Sequence, residues 1–150
     1  ISNTIKAKGL KYSNQYKIKK KILNFKNNKI AEEKLLNLLK QNKIQFICLA
    51  GFMKILSSKF IKQFNGKIIN IHPSLLPRYK GLNTHSRAIQ NKDKFSGCTV
   101  HYVTEKLDSG KIIMQKKIKI LKKDTPSSLA RKILKQEHKI YPKAILKIFN

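Results

Sequence analysis

Short apolar runs that end at turn residues restrict the fold of this chain more than any other feature. Gln45 to Ala50 forms one such run, and Gly51 follows it directly. Lys67 to Ile71 forms a second run, which continues straight into His72 and Pro73. Their length and their flanking residues favour strands that are buried on both faces, as in a parallel sheet.

Helical patterns alternate with these runs. In the segment from Ala31 to Gln41, the leucines recur at positions that share one face of a helix, which indicates a helix with one buried side. Ser57 has the side chain of a helix N-cap, and the short helix that follows is predicted to reach Phe64 before Gly66 ends it.

The carboxyl-terminal part predicts a strand pair and a long helix. Cys98 to Val103 and Ile112 to Ile120 have strand-like patterns and can pair antiparallel. Thr125 and Pro126 match a helix start, and we expect that helix to run to near Ile140, where Pro142 breaks or kinks it. The other predicted elements are a strand end at Ile1 to Asn3, a helix at Lys6 to Asn14, a strand at Ile18 to Leu23 and a helix at Thr84 to Asn91.

This order of elements predicts an α/β fold, in which helices flank a mostly parallel central sheet and an antiparallel strand pair lies near the carboxyl-terminal part. A chain of 150 residues suits one domain with a hydrophobic core. In such sheets, ligands bind beyond the carboxyl ends of the strands, and His72 lies at one such end.

The charge of the chain invites a nucleic-acid interpretation, which its composition opposes. The net charge is +27, from 34 basic and seven acidic residues. Only Arg78, Arg87 and Arg131 are arginines, whereas phosphate recognition usually favours the arginine fork. The lysines are scattered, which is typical of solvated faces. We therefore expect no dedicated nucleic-acid partner, although the field can attract anionic substrates.

The sequence shows no pattern typical of a membrane span or of a secretion signal. No apolar run approaches the roughly 20 residues that span a bilayer, and no charged leader precedes an apolar segment. Cys48 and Cys98 lie in strand-like stretches, where a free thiol behaves as a small buried hydrophobe. We therefore expect a reducing, cytoplasmic location and no membrane association.

Three polar residues could act together on a carbonyl group. Asn70 and His72 are two residues apart on a predicted strand and so share a side, and a turn at Leu107 to Gly110 carries Asp108. Transfer of a carbonyl group to an amine needs a donor for the oxyanion, a group that moves a proton and a carboxylate that orients the imidazole. On spacing alone, His72 is more readily interpreted as a structural residue, because a lone histidine at a strand end more often has that role.

The sequence segments around these residues resemble those of a known protein family. Asn70 to Gly81, with the sequence NIHPSLLPRYKG, is nearly the signature of the folate-dependent formyltransferases. Leu82 to His85 after that glycine resembles the glycinamide ribonucleotide formyltransferase branch. Three more segments resemble the family in the expected order, so that the resemblance covers essentially the whole chain: Leu49 to Leu56, Gly97 to Gly110 and Gln136 to Pro142.

The resemblance implies a Rossmann-like formyltransferase fold and a set of site residues. It makes Asn70, His72 and Asp108 catalytic, and it makes Glu137 a contact for the amine of the acceptor, glycinamide ribonucleotide. It implies the co-substrate 10-formyltetrahydrofolate and no metal. The folate pocket that it implies is formed by Met53, Lys54, Ile55, Leu56, Asn70, Thr104, Glu105, Lys106, Leu107 and Asp108. Without the resemblance, Met53, Ile55 and Leu56 would be interpreted as core and Glu137 as a solvated helix residue.

One family feature has no match, and rival interpretations stay open. The family begins with a glycine-rich loop that cradles the substrate phosphate, and Ile1 comes after the point where it would lie, so residues 1–150 are predicted to be one amino-terminally truncated formyltransferase domain. The rivals are methionyl-tRNA formyltransferase, formyltetrahydrofolate hydrolase and, more distantly, a non-catalytic basic RNA-binding module. His85, His101 and His138 are interpreted as structural.

Overall fold

Five helices and four strands form the chain. The computed structural model describes residues 1–150. The elements are α1 (Leu10–Gln15), α2 (Asn28–Gln41), β1 (Phe46–Leu49), α3 (Ser58–Gln63), β2 (Lys67–His72), α4 (Thr84–Gln90), β3 (Phe95–Tyr102), β4 (Ile112–Lys119) and α5 (Pro126–Phe149).

The four strands form one sheet in the order β1-β2-β3-β4. β1 and β2 pair in parallel, whereas β2 with β3 and β3 with β4 pair antiparallel. The α/β class, the flanking helices and the antiparallel strand pair are therefore confirmed. The sheet is mixed rather than mostly parallel. The connection through α4 begins and ends at the same edge of the sheet, next to His72. Strand β3 therefore starts beside the carboxyl end of β2 and runs antiparallel to it.

One predicted strand does not form, and one helix continues beyond its predicted end. The segment from Ile18 to Leu23 is not a strand, and its only ladder contact is a parallel bridge between Ser2 and Ile22. Helix α5 does not end near Ile140 but continues through Pro142 to Phe149. Pro142 is exposed, whereas Ala144 in the next turn is fully buried, so packing of that turn stabilises the helix beyond the proline.

Local capping sets the helix starts that lead to the site. The Ser57 hydroxyl accepts a hydrogen bond from the backbone N–H of Phe60, which confirms the predicted N-cap of α3. The buried carboxylate of Glu32 accepts bonds from both the backbone N–H and the hydroxyl of Ser57, which ties α2 to α3. At the start of α5, Thr125 and Ser128 form a reciprocal capping box.

The main core lies between the sheet and α5. Its side chains at Ile69, Val100, Leu129 and Ile133 are at most 1% exposed. A second cluster around Phe60 joins α2, α3 and β2. β1 is an edge strand, so it is only half-buried, and Cys48 is exposed instead of buried as expected. None of the helices has both the length and the apolar character that crossing a bilayer requires.

Truncation of Leu129 is expected to destabilise the fold strongly. Leu129 is 0% exposed in the main core, whereas Leu146 on the same helix is 60% exposed. Leu129→Ala should lower the free energy of unfolding by about 2–5 kcal/mol, and Leu146→Ala should change it by less than about 0.5 kcal/mol. Urea denaturation of both variants measures the difference, and equal losses would contradict this placement of the core.

Candidate active site

A cavity of about 590 Å³ opens at the carboxyl ends of β1 and β2. Residues from β2, β3, α4, α5 and the loops after β1 and β3 line it. Its volume falls within the range of pockets that hold small organic ligands, about 300–1,000 Å³. The position agrees with the expectation that ligands bind beyond strand ends in an α/β sheet.

The structure brings Asn70, His72 and Asp108 to this cavity. Asn70 and His72 lie on β2, as strand alternation predicts. The Nδ1 atom of His72 lies 3.4 Å from Oδ2 of Asp108, and both side chains are less than 10% exposed. The backbone N–H of Gly81 donates a 2.8 Å hydrogen bond to the same Oδ2 atom, which holds the carboxylate towards the histidine.

A second histidine, which the sequence interpretation left as structural, faces the same carboxylate. Nε2 of His101 lies 3.6 Å from Oδ1 of Asp108, and the ring is 2% exposed. His101 pairs with Asn70 across the β2–β3 ladder. Because that register depends on antiparallel pairing, only a correct strand pairing could have brought His101 to the site.

The backbone decides which ring nitrogens carry protons. Nε2 of His72 lies 2.8 Å from the carbonyl oxygen of Tyr79, and Nδ1 of His101 lies 2.8 Å from that of Tyr102. A carbonyl oxygen only accepts, so each of these nitrogens must donate. In both rings, the nitrogen that faces Asp108 therefore bonds to the carboxylate only when an additional proton is present.

Three buried polar atoms without a partner in the chain belong to residues that line this cavity. They are Thr84 Oγ1, His85 Nε2 and His101 Nε2. Buried polar atoms are rarely left unpaired unless a site uses them. Burial lowers the pKa of His85 and of His101, and the neighbouring His72 adds to the effect at His85. Thr84 and His85 belong to the segment from Leu82 to His85 that carries the family resemblance, but the sequence interpretation assigned neither of them to the site.

The predicted folate-pocket residues divide into three groups. Met53 and Ile55 are 75% and 63% exposed at the cavity, so they are not core, whereas Leu56 is buried in the second core cluster and also lines the cavity. The cavity is also lined by Lys54, Thr104, Glu105, Leu107, Asp108 and Asn70. Lys106 does not line it. Its side chain is exposed, and its carbonyl accepts a hydrogen bond from Thr104.

Glu137, the predicted contact for the acceptor amine, also lines the cavity. It projects from α5 into the cavity wall and is half-buried rather than solvated. Burial raises the pKa of its carboxyl group. A carboxylate in this position can accept hydrogen bonds from an amine. His138, its neighbour on the helix, is exposed.

A comparison with known families decides the assignment. A family profile described as formyl transferase matches residues 1–145. The chain belongs to the formyl transferase family.

Named relatives agree with this assignment. The phosphoribosylglycinamide formyltransferase of Haemophilus influenzae is 43% identical over 148 residues, which are 97% of this chain and 70% of that protein. The trifunctional purine biosynthetic protein adenosine-3 of Homo sapiens is 40% identical over 148 residues, and the chain spans only 15% of its length. The crystal structure of phosphoribosylglycinamide formyltransferase from Anaplasma phagocytophilum has a TM-score of 0.88 and 43% identity, over 95% of this chain and 69% of that one. The Rossmann-like fold of the family is thereby confirmed.

Gly110 is expected to be essential for the position of the Asp108 turn. A Cβ atom at Gly110 would lie 2.7 Å from the carbonyl carbon of Tyr102, whereas one at Gly9 would meet nothing within 4 Å. Gly110→Ala should therefore cost about 1–3 kcal/mol of stability through overpacking and displace Asp108, and Gly9→Ala should do neither. Urea denaturation and the NMR signals of the His72 ring test this, and unchanged ring signals in a destabilised Gly110→Ala variant would refute the displacement.

The lowered pKa values of His85 and His101 predict a pH dependence of stability. Their folded-state pKa values lie below the ordinary 6.5, so the unfolded chain binds more protons just below that pH. The free energy of unfolding should therefore decrease from about pH 7.5 to about pH 5.5, and His85→Gln and His101→Gln should each reduce that slope. Asp124 does not contribute to this slope. Its hydrogen bond with Lys132 lowers its pKa from 3.8 to about 2, so it titrates well below the pH range of the two histidines. Parallel slopes in wild type and both variants would contradict the prediction.

Proposed function

We propose that this chain forms the catalytic and folate-binding part of a phosphoribosylglycinamide formyltransferase, a folate-dependent enzyme that transfers the formyl group of 10-formyltetrahydrofolate to the amine of glycinamide ribonucleotide. The observation that carries the proposal is the convergence of Asn70, His72 and Asp108 at one cavity in a member of the formyl transferase family. The reaction is a step of purine biosynthesis, the process named in the trifunctional relatives.

The three side chains supply what formyl transfer to an amine requires. The amine nitrogen attacks the formyl carbon and the bond from that carbon to N10 of the folate breaks, so one proton passes from the attacking to the leaving nitrogen. The Asn70 amide donates a hydrogen bond to the oxyanion of the tetrahedral intermediate. The positive charge of protonated His72, whose two N–H groups face the Tyr79 carbonyl and Asp108, stabilises the oxyanion electrostatically. Asp108 stabilises the imidazolium and, through a water, relays the proton.

The lining of the cavity fits a folate. A pterin ring is flat and largely apolar on its faces, and its polar edge needs donors and acceptors. Exposed apolar side chains at Met53, Ile55 and Leu107 line the cavity, and the loop from Thr104 to Asp108 offers backbone groups. An apolar side chain left in water at a concave surface is typical of a binding site. We propose that the folate binds between these two segments.

Glu137 provides the place for the acceptor amine. In our proposal, its carboxylate accepts hydrogen bonds from the amine-bearing end of glycinamide ribonucleotide. Burial raises the pKa of Glu137, so a positive partner would favour its ionised form. The amine would then lie in the same cavity as the His72–Asp108 pair, as attack on the formyl carbon requires.

The nucleotide acceptor is favoured over the rivals. The relatives reported above include phosphoribosylglycinamide formyltransferases, and the same name stands on the similar crystal structure. The high net charge, which first suggested tRNA or another RNA, is better explained by scattered lysines. Both cysteines are free thiols, which supports the proposal of a reducing, cytoplasmic location.

Substitution of the three residues tests the proposal. In the full gene product, Asp108→Asn and His72→Ala should each lower kcat by about 100-fold or more, and Asn70→Ala by about 100-fold. Glu33→Gln, the same acid-to-amide change on the exposed face of α2, should leave kcat unchanged. Formyl transfer is measured from 10-formyltetrahydrofolate to glycinamide ribonucleotide and, separately, to methionyl-tRNA. Preference for the tRNA, or wild-type turnover in both Asp108→Asn and His72→Ala, would refute the assignment.

A further inference from the structure

A tyrosine outside the cavity lies in an unusual backbone conformation next to the catalytic pair. Tyr79 has φ of 55°, in the left-handed region that bulky residues rarely adopt. Its carbonyl oxygen is the acceptor 2.8 Å from Nε2 of His72. A left-handed residue turns its carbonyl away from the direction of an extended chain, so the contact with His72 depends on this conformation.

The same turn also holds the carboxylate partner. Gly81, with φ of 75°, donates its N–H to Asp108. The turn from Tyr79 to Gly81 therefore provides an acceptor to His72 and a donor to Asp108 within three residues. These two backbone contacts set the relative orientation of the His72–Asp108 pair.

The side chain of Tyr79 is locked by a polar cluster. Its hydroxyl donates to Oδ2 of Asp93 at 2.7 Å and accepts from Nδ2 of Asn91 at 2.8 Å. Arg78 donates to Oδ1 of Asp93 at 2.8 Å, and the Asp93 side chain is 10% exposed. The guanidinium carbons of Arg78 and Arg87 lie 5.3 and 5.0 Å from the centre of the tyrosine ring, within cation–π distance.

We propose that Tyr79 is a positioning residue for His72. The cluster around its side chain offsets the strain of the left-handed backbone, and that backbone presents the carbonyl that fixes the Nε2 proton and directs Nδ1 to Asp108. Tyr79 and the four residues of its cluster do not line the cavity, so the tyrosine acts through its backbone and not by touching substrate. The kinetic tests of this inference rest on the proposed function, whereas its NMR test does not.

The decisive variant is Tyr79→Phe in the full gene product. It keeps the ring but removes the hydroxyl that bonds Asp93 and Asn91. We expect kcat to fall about tenfold with the KM of both substrates within about twofold of wild type. Asp93→Ala should have a similar effect, and the double variant should be no worse than the stronger single variant, since both changes break one cluster.

The pH profile separates positioning from simple loss of stability. Because the Tyr79 carbonyl is the hydrogen-bond acceptor for His72, its displacement in Tyr79→Phe should change the shape of the pH–kcat profile, whereas a loss of stability alone should not. The other titratable groups that line the same cavity, Asp108, His101, His85, Glu105, Lys54 and Glu137, are unchanged in this variant. Tyr141→Phe is the matched control: it loses a 2.7 Å bond to the Leu49 carbonyl, and we expect lower stability with an unchanged profile.

A readout independent of turnover keeps the inference distinct from the proposed function. In wild type, the Nε2 proton of His72 should give a ring ¹H–¹⁵N signal protected from exchange, and Tyr79→Phe should broaden or lose it. If wild type transfers no formyl group but the signal behaves as expected, the function fails and the positioning role stands. The positioning role is overturned if Tyr79→Phe keeps the wild-type signal and kcat, if only KM changes, or if it loses stability alone, which is the result that we expect for Tyr141→Phe.

Discussion

The antiparallel pairing of β2 with β3 is the constraint on which the rest of the site depends. It places Asn70 opposite His101 and His72 opposite Thr99. The loop that follows β3 then returns over the end of β2, which brings Asp108 within 3.4 and 3.6 Å of the two histidines.

Most of the few acidic residues in this basic protein have specific partners or line the cavity. Among the seven carboxylates, Glu32 joins α2 to the cap of α3, Asp124 accepts from Lys132 and Ser128 at the start of α5, and Asp93 holds the cluster around Tyr79. Asp108 and Glu137 lie at the cavity. Because each of these acids has specific donors or a buried position, its loss should cost more than the loss of one of the many exposed lysines.

Backbone groups do much of the work of the candidate site. The carbonyls of Tyr79 and Tyr102 decide which nitrogens of His72 and His101 are protonated, and the N–H of Gly81 orients Asp108. Such contacts depend on φ and ψ rather than on side-chain identity. In our proposal, this is how the Asp93 side chain, which lies outside the cavity, influences the Nε2 proton of His72 through the backbone of Tyr79.

The sequence by itself determined the α/β class, the caps at Ser57 and Thr125 and the antiparallel strand pair, since these follow from local periodicity and capping chemistry. The convergence of Asn70, His72 and Asp108 at one cavity was implied by the family resemblance and not by any local pattern. Only the tertiary structure decided that β2 pairs antiparallel with β3, that α5 continues past Pro142, that Cys48 is exposed, and that His101 rather than Lys106 lines the cavity. The physical reason is that strand order, edge position and the packing of a helix turn depend on contacts between residues distant in the chain, which no local pattern encodes.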